Sequence, residues 1–568
     1  MSDRLRIALA QLNPKVGALE ANLEVAKRAL SDAAAARADI LLFSELFLTG
    51  YFPEDLLFKP RFIADAIAAV VTLATATKDT GVSVLLPTPW LQDGVLYNAV
   101  VLAEDGEIVT YRLKRELPNN DVFYEKRYFG IGPLAEPLTI KGVTIGVPIC
   151  EDIWHADVCA HLVEQGARIL LCPNGSPYWQ NKQHTRYRLV RDRVREENVP
   201  LLYLNQVGGQ DEIVYDGASF GIEPGGRIAF QGKSFEADFI VSDWQRTDNG
   251  WRCVNGDVTP LVSVEEAPWR ACVLGLRDYV LKNGFSSVVL GLSGGIDSAV
   301  VAAMAVDAFG PDKVQCVMLP YRYTAVDSIS DAEDCAKRLG VRYDTIPIEA
   351  PVSGANAVLA PLFEGRPSDI TEENIQSRMR GLLLMALSNK FGSMLLTTGN
   401  KSEMAVGYAT IYGDMNGGFN PIKDLLKMQV YRLAAWRNAH VPGDALGPSG
   451  EVIPQNIIDK APSAELRPNQ KDQDSLPPYP VLDEILEALV EDELSVAEIV
   501  ARRHDLSLVK RIERLLYLAE YKRRQSGPGV KLTDKAFGVG RKYPITNGYR
   551  DASQSVAQLV TPTKQGVE

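Results

Sequence analysis

Two stretches of the chain carry residue types whose spacing could do chemistry. Ser293-Gly294-Gly295-Ile296-Asp297-Ser298 stands between a β-branched strand at residues 287–290 and an apolar helical pattern from about Ser298 onward, closed by Gly310-Pro311. Two glycines let the backbone approach an anion, and a helix N-terminus directs unpaired N–H groups at it, so this is read as a phosphate-binding turn. No lysine follows, as it would in the GxxxxGK[ST] loop of common ATPases and GTPases. Asp297 would repel a phosphate directly, and its presence makes physical sense if a divalent cation, Mg2+, lies between carboxylate and pyrophosphate. The second stretch centres on Cys150, which ends a predicted strand at 143–149 and is followed by Glu151-Asp152-Ile153-Trp154. A thiol on a strand-to-helix turn faces substrate and gains thiolate character from the helix end. Glu45 and Lys114 each close or follow a predicted strand, so the three can converge on one sheet edge.

The elements that must position these groups form an α/β pattern. With 568 residues, two or more domains are expected, because single cores rarely grow past about 250 to 300 residues. Up to about residue 245, short apolar strands (6–10, 40–43, 82–87, 98–103, 144–149, 169–172 and 201–206) alternate with helical stretches such as 22–36 and 183–198. Residues 246–268 are polar, with Gly250, Pro260 and Glu265-Glu266, and read as a linker. A second unit over 269–550 has strands near 287–291, 314–319, 341–346 and 394–397 with helices between, the pattern of a doubly wound parallel sheet. Residues 461–480 read as a loop over a site, and 551–568 as a tail.

Composition narrows the function classes. A net charge of −12 argues against general nucleic-acid binding, so an anionic nucleotide must be met by local positive groups. Seven cysteines without a CxxC pair fit free thiols in a reducing compartment, hence a cytoplasmic protein. No apolar run approaches 18 residues, so no membrane span is expected.

SGGxDS at 293–298 resembles the signature of the ATP pyrophosphatases, which split ATP into AMP and pyrophosphate and activate an acceptor by adenylylation. Downstream, Thr397-Thr398-Gly399-Asn400-Lys401-Ser402-Glu403, Gly407-Tyr408-Ala409-Thr410-Ile411-Tyr412-Gly413-Asp414, Asp424-Leu425-Leu426-Lys427, Pro462-Ser463-Ala464-Glu465 and Glu373-Asn374-Ile375-Gln376-Ser377-Arg378 resemble, in that order, the NAD synthetase family. The resemblance implies a Rossmann-like domain with ATP on Gly291, Leu292, Ser293, Gly294, Gly295, Ile296, Asp297, Ser298, Thr398, Lys427 and Ser463. It places deamido-NAD on Asn374, Arg378, Glu403, Asp414 and Lys522, and the metal on Asp297 and Glu403.

In the first half, Glu45, Lys114 and Cys150 resemble the Glu-Lys-Cys triad of the nitrilase family, whose fold is an α/β/β/α sandwich. By that resemblance Glu45 is the general base, Lys114 stabilises the oxyanion and Cys150 forms a thioester, with Glu125 as the second glutamate of the site. Pro173-Asn174-Gly175-Ser176-Pro177-Tyr178 with Lys182 is similar to the glutamine-binding turn of the glutaminase branch, which makes Ser176, Lys182 and Glu125 glutamine-binding residues. Two positions depart from that branch: Gly175 stands where alanine is usual, and Asn120 where a tyrosine is frequent.

Together the resemblances imply one machine. Ammonia from glutamine at Cys150 is used, through an internal channel, to amidate adenylated deamido-NAD, releasing AMP, pyrophosphate and glutamate. ATP is a co-substrate, no nucleic acid or membrane partner is implied, and a homo-oligomer is expected by resemblance.

Overall fold

The structure, a computed structural model, describes residues 3–553. The chain separates into two compact units, Met1–Val264 and Glu265–Glu568.

The first unit holds two sheets. The seven-stranded one contains β1 (Arg4–Gln11), β2 (Ile40–Phe43), β3 (Ser83–Gln92), β4 (Val95–Glu104), β5 (Glu107–Leu113), β14 (Asp238–Thr247) and β15 (Gly250–Asn255), ordered β15-β14-β1-β2-β3-β4-β5. The six-stranded one contains β6 (Leu138–Ile140), β7 (Val143–Gly146), β8 (Ile169–Asn174), β9 (Leu201–Asn205), β12 (Phe220–Ile222) and β13 (Ile228–Gln231), ordered β13-β12-β9-β8-β7-β6. A separate hairpin pairs β10 (Val207–Gln210) with β11 (Ile213–Asp216).

Side-chain alternation decides what each face meets. Along β1, Leu5, Ile7 and Leu9 join Ile40, Leu85, Ile145, Leu171 and Leu202 in a core shared by both sheets. Ala8 and Ala10 face outward with Leu41, Phe43 and Val84, under α1 (Leu19–Ala35) and α2 (Pro60–Ala76). On the far side α3 (Ala156–Glu164) and α4 (Lys182–Glu197) bury Val158, Leu162, Val190 and Val194 against Leu170, Cys172 and Leu201. The result is the α/β/β/α sandwich that the resemblance implied. Each fully buried Leu, Ile or Val contributes roughly 1.5–3 kcal/mol, so the double core fixes the strand ends firmly.

The first part of the stretch read as a linker, up to Asn255, is structured. Thr247 ends β14, and β15 pairs with β14 through Trp251 and Cys253, both buried. The polar composition that suggested a linker belongs to an edge strand whose alternate residues meet solvent.

The second unit has a four-stranded, all-parallel sheet of β16 (Val288–Gly291), β17 (Val314–Met318), β18 (Arg342–Thr345) and β19 (Met394–Leu396), ordered β18-β17-β16-β19. In chain order this is 3-2-1-4, so the connection reverses between β16 and β19, and ligands of such sheets bind outside the strand ends at that reversal. Its helices among the described residues are α5 (Glu266–Lys282), α6 (Ile296–Phe309), α7 (Val326–Leu339), α8 (Glu349–Leu359), α9 (Ile370–Phe391), α10 (Lys401–Val406), α11 (Lys427–Ala439), α12 (Gln455–Asp459), α13 (Tyr479–Val490), α14 (Val496–Ala501), α15 (Leu506–Leu518) and the short α16 (Glu520–Arg523). Val289, Val317 and Leu395 pack with Val352 of α8 and Ile375 of α9. Leu482, Ile485, Ile499, Val509 and Ile512 form a separate helical core with Met404 and Val406 of α10. Asp551, within the expected tail, accepts from Val496 N at 2.8 Å, and residues 554–568 lie outside the described residues. Among the described residues no helix is long and apolar enough to cross a membrane.

Candidate active sites

In the first unit, the ends of three strands bring Glu45, Lys114 and Cys150 together. Lys114 follows β5, Glu45 follows β2, and Cys150 opens a short 3-10 turn, Cys150–Trp154, after β7. Lys114 Nζ donates to Glu45 Oε1 at 2.7 Å and to Glu125 Oε1 and Oε2 at 3.0 and 2.9 Å, and all three side chains are buried. Glu45 also accepts from Asn98 Nδ2 at 2.8 Å and Gly175 N at 3.1 Å, while Tyr51 OH donates to Glu125 Oε1 at 2.8 Å.

Electrostatics follow from two carboxylates sharing one buried cation. Burial works against the Lys114 charge, but Glu125 and Glu45 outweigh it and hold the ammonium well above its ordinary range. Burial lifts Glu125 to about 7, with Lys114 opposing and Glu45 reinforcing. Burial and then Glu45 push the Cys150 thiol well above its usual value, so the resting sulfur is a thiol. That corrects the expectation of thiolate character from a helix end: the element after Cys150 is one short turn, too little to offset desolvation. A neutral thiol needs a base, and Glu45 and Glu151 are the carboxylates whose charges act on it.

Cys150 itself adopts the left-handed region, φ 46°, a sparsely populated conformation that the surroundings must impose. Asp152 imposes it from below. Its carboxylate accepts from Ile149 N at 2.9 Å, Arg115 N at 3.1 Å and Glu116 N at 2.7 Å, tying the cysteine turn to the segment that carries Lys114. Ser176 and Lys182 are both buried in this unit. Ser176 Oγ accepts from Arg186 Nε at 3.1 Å, and Arg186 is anchored by Asp216 at 2.8 Å through both oxygens. Lys182 Nζ sits 3.3 Å from the Trp179 ring centre and 5.0 Å from that of Trp154. Burial, then Arg186, lowers its ammonium to about 7. Tyr51, Asn98, Asp152 and Arg186 went unseen in the sequence, because each acts through a partner at least ten residues away.

In the second unit, the turn after β16 and the turn after β19 face each other across the chain reversal. They line a cavity of about 310 Å³ that contains every residue expected for ATP, Gly291 through Ser298, Thr398, Lys427 and Ser463, together with Glu403 and Asp414. Gly294 has φ 79°, and a Cβ there would stand 2.1 Å from Ser328 O, so only glycine fits. Lys427 Nζ is hydrogen-bonded to Asp297 Oδ2 and lies 3.1 Å from Glu403 Oε1. Asn400 Nδ2 donates to Asp297 Oδ1 at 2.9 Å, and Asn400 Oδ1 caps α10 by accepting from Glu403 N. Burial lifts Glu403 to about 8, with Lys427 opposing and Asp297 reinforcing.

Asn374, Arg378 and Lys522 do not line that cavity. They gather instead on the turn at 407–414: Thr410 Oγ1 donates to Asn374 Oδ1 at 3.0 Å, Arg378 Nε to Ile411 O at 3.3 Å, and Lys522 Nζ to Gly407 O and Ala409 O at 2.7 Å each. Asp414 joins turn and cavity, accepting from Thr410 N at 2.6 Å. Two cavity residues were passed over in the sequence. Arg380, two positions beyond Arg378 on α9, lines the cavity, and burial lowers it to about 10. Asp472, on the loop at 461–480, lines it too and accepts from Tyr479 OH at 2.9 Å.

Among the described residues no group of three or more His, Cys, Asp or Glu side chains forms a metal cluster. A magnesium ion held partly by phosphates needs fewer protein ligands, one or two carboxylates, and Asp297 with Glu403 meets that requirement. Their convergence on a single ammonium shows that both can address one cation.

Comparison with known proteins agrees with this division. The family model for carbon-nitrogen hydrolase matches residues 6–249 and that for NAD synthase matches residues 268–526. A glutamine-dependent NAD(+) synthetase of Rhodobacter capsulatus is 53% identical over 97% of this chain and 100% of its own length. The glutamine-dependent NAD+ synthetase of Acinetobacter baumannii, solved with ADP, shares 38% identity at a TM-score of 0.76, covering 97% of this chain and 100% of that one. A glutamine-dependent NAD(+) synthetase from Cytophaga hutchinsonii has the same fold, at 24% identity and a TM-score of 0.81 over 96% of this chain and 98% of its own. With both halves matched and a relative this similar end to end, the chain belongs to the glutamine-dependent NAD(+) synthetase family.

Proposed function

We propose that the chain amidates deamido-NAD to NAD, with ATP as co-substrate and glutamine as nitrogen donor, in two chemical stages on its two units. At the first, Glu45 takes the Cys150 proton as sulfur attacks the glutamine carboxamide, and passes it to the amide nitrogen as the C–N bond breaks. Lys114 faces the oxyanion that forms, and ammonia leaves a thioester that water hydrolyses to glutamate. Ser176 and Lys182 hold the amino-acid end of glutamine, and Glu125 with Tyr51 keeps Lys114 in place. At the second, the carboxylate of deamido-NAD attacks the α-phosphorus of ATP, pyrophosphate departs, and ammonia displaces AMP from the acyl adenylate.

The backbone of 291–298 receives the ATP phosphates at the N-terminus of α6, with Thr398, Lys427 and Ser463 closing on them. Asp297 and Glu403 would hold magnesium, which supplies charge neutralisation of the pyrophosphate as it leaves. Asn374, Arg378, Asp414 and Lys522, grouped on one turn, bind deamido-NAD. The protein is read as cytoplasmic, and as a homo-oligomer by resemblance.

The convergence of Asp297, Glu403 and Lys427 beside a glycine-built anion turn carries this reading for the second unit. The test is product analysis from ATP, deamido-NAD and glutamine with magnesium. Equal amounts of AMP, pyrophosphate, glutamate and NAD are expected, and ADP with phosphate in place of AMP would overturn the adenylylation route.

A further inference from the structure

The two cavity residues Asp297 and Lys427 belong to α6 and α11, and the same two helices are joined a second time, away from the cavity. Arg437 forks onto Asp307, with Nε 2.7 Å from Oδ2 and Nη2 2.8 Å from Oδ1. Trp269 Nε1, from α5, donates to Asp307 Oδ2 at 2.9 Å, and Arg437 Nη2 also donates to Pro448 O at 2.8 Å. Both side chains are sealed from solvent, at 0% and 1% exposure. Gly447 makes room for the pair, since a Cβ there would stand 2.2 Å from Asp307 Oδ1.

The spacing of the two bridges is identical. Each joins residues 130 apart in sequence, and on both helices the second bridge lies ten residues beyond the first. At a rise of 1.5 Å per residue, ten residues are about 15 Å. α6 and α11 therefore run parallel and are tied at both ends in one register. A slip of α11 by a single residue would break both bridges together.

A buried ion pair is weak support for stability, because desolvation consumes most of its attraction, and its best-attested use is to fix register. We propose that Asp307 and Arg437 are positioning residues for the synthetase step: their fork sets the axial register of α11 against α6 and so places the Lys427 ammonium between Asp297 and Glu403. The proposal rests on the assignment of those three residues to the ATP site. Reaction rates respond to such register, since a misplacement of about 1 Å can cost on the order of 100-fold.

The test uses the full chain and ammonium as nitrogen source, reading the second unit alone. Asp307→Leu with Arg437→Met removes both charges together, so that neither is left as an unpaired buried ion, at the cost of the Trp269 and Pro448 hydrogen bonds, and Arg437→Lys keeps the charge while losing the fork. For the double variant we expect a fold intact by circular dichroism and unchanged glutamine hydrolysis. Its ammonia-dependent kcat should fall about tenfold or more, with a displaced acid limb in the pH profile of kcat. Arg437→Lys should lie between it and the unsubstituted chain. A folded double variant with unchanged kcat and pH profile would overturn the proposal, leaving the pair a structural tie. If the double variant does not fold, Arg437→Lys decides alone: unchanged kcat and pH profile overturn the proposal, and a lowered kcat with a displaced profile supports it. Failure of the underlying site assignment is recognised separately, because the unsubstituted chain would then make no AMP from ATP, deamido-NAD and ammonium.

Discussion

Glu45 is fully buried and Glu403 partly buried, each beside a lysine, and the proposed chemistry uses the anion of both. Glu45 accepts from Lys114, Asn98 and the Gly175 amide, which fix its carboxylate in place. Glu45→Gln keeps the shape and removes the basicity, so glutamine hydrolysis should fall by roughly 10²–10⁴ while ammonia-dependent synthesis persists, as paired assays would read. Glu403 is lifted to about 8 by burial despite Lys427. An acid with a raised value keeps its proton as pH rises toward that value, and only the anion ligates a cation. Magnesium-ATP affinity should therefore rise with pH between 6 and 8, by up to about tenfold per unit for one proton lost. Titration calorimetry at pH 7 in buffers of different ionisation enthalpy should register net proton release, absent in Glu403→Gln. Equal heats for the unsubstituted chain in all buffers, after correction, would refute a protonated Glu403.

Turns rather than strands carry the chemistry, and their glycines differ in why they are needed. In the ATP turn, Gly294 is demanded by the fold, with positive φ and Ser328 O against any Cβ, whereas a Cβ on Gly295 meets nothing closer than Ser293 Oγ at 3.4 Å. Gly294→Ala should lower the melting temperature, and Gly295→Ala should leave it unchanged while raising KM for ATP, because only bound phosphate would crowd that position. A melting point lowered equally by both would show that Gly295 is a folding requirement. Gly175, which departs from the alanine usual in the glutaminase branch, has a local cause here. A Cβ there would lie 2.6 Å from the Tyr51 ring, which is buried and bonded to Glu125. Gly175→Ala should cost about 1–3 kcal/mol of overpacking in denaturant unfolding and slow glutamine hydrolysis by displacing Tyr51.

At the scale of the molecule, each unit has its own core and its own site, so the activities should be separable by single substitutions. Cys150→Ala is expected to abolish glutamine-dependent NAD formation and to leave the ammonium-supported rate within about twofold, and loss of both would sink the two-site scheme. The net charge of −12 leaves anionic substrates to be met locally, and Lys427, Arg380, Lys460 and the α6 N-terminus line the cavity together with five carboxylates, so a cation between carboxylate and phosphate is needed there. The sequence by itself determined the strand-and-helix alternation and the glycine turn at 293–298, because hydrophobic period and glycine spacing are local signals, while Glu45, Lys114 and Cys150 were picked out by resemblance to the nitrilase family. It misjudged 246–255, where an edge strand has the composition of a linker, and it assigned no site to Arg380, whose helix neighbours say nothing of the cavity it lines. Tertiary structure alone decided that Asp152 braces the cysteine turn, that Asn374, Arg378 and Lys522 gather on one turn outside the cavity at the chain reversal, and that Asp307 meets Arg437 in step with Asp297 and Lys427. Those contacts join residues tens to more than a hundred positions apart, and their strength comes from burial, a property of the assembled core that no local stretch of sequence carries.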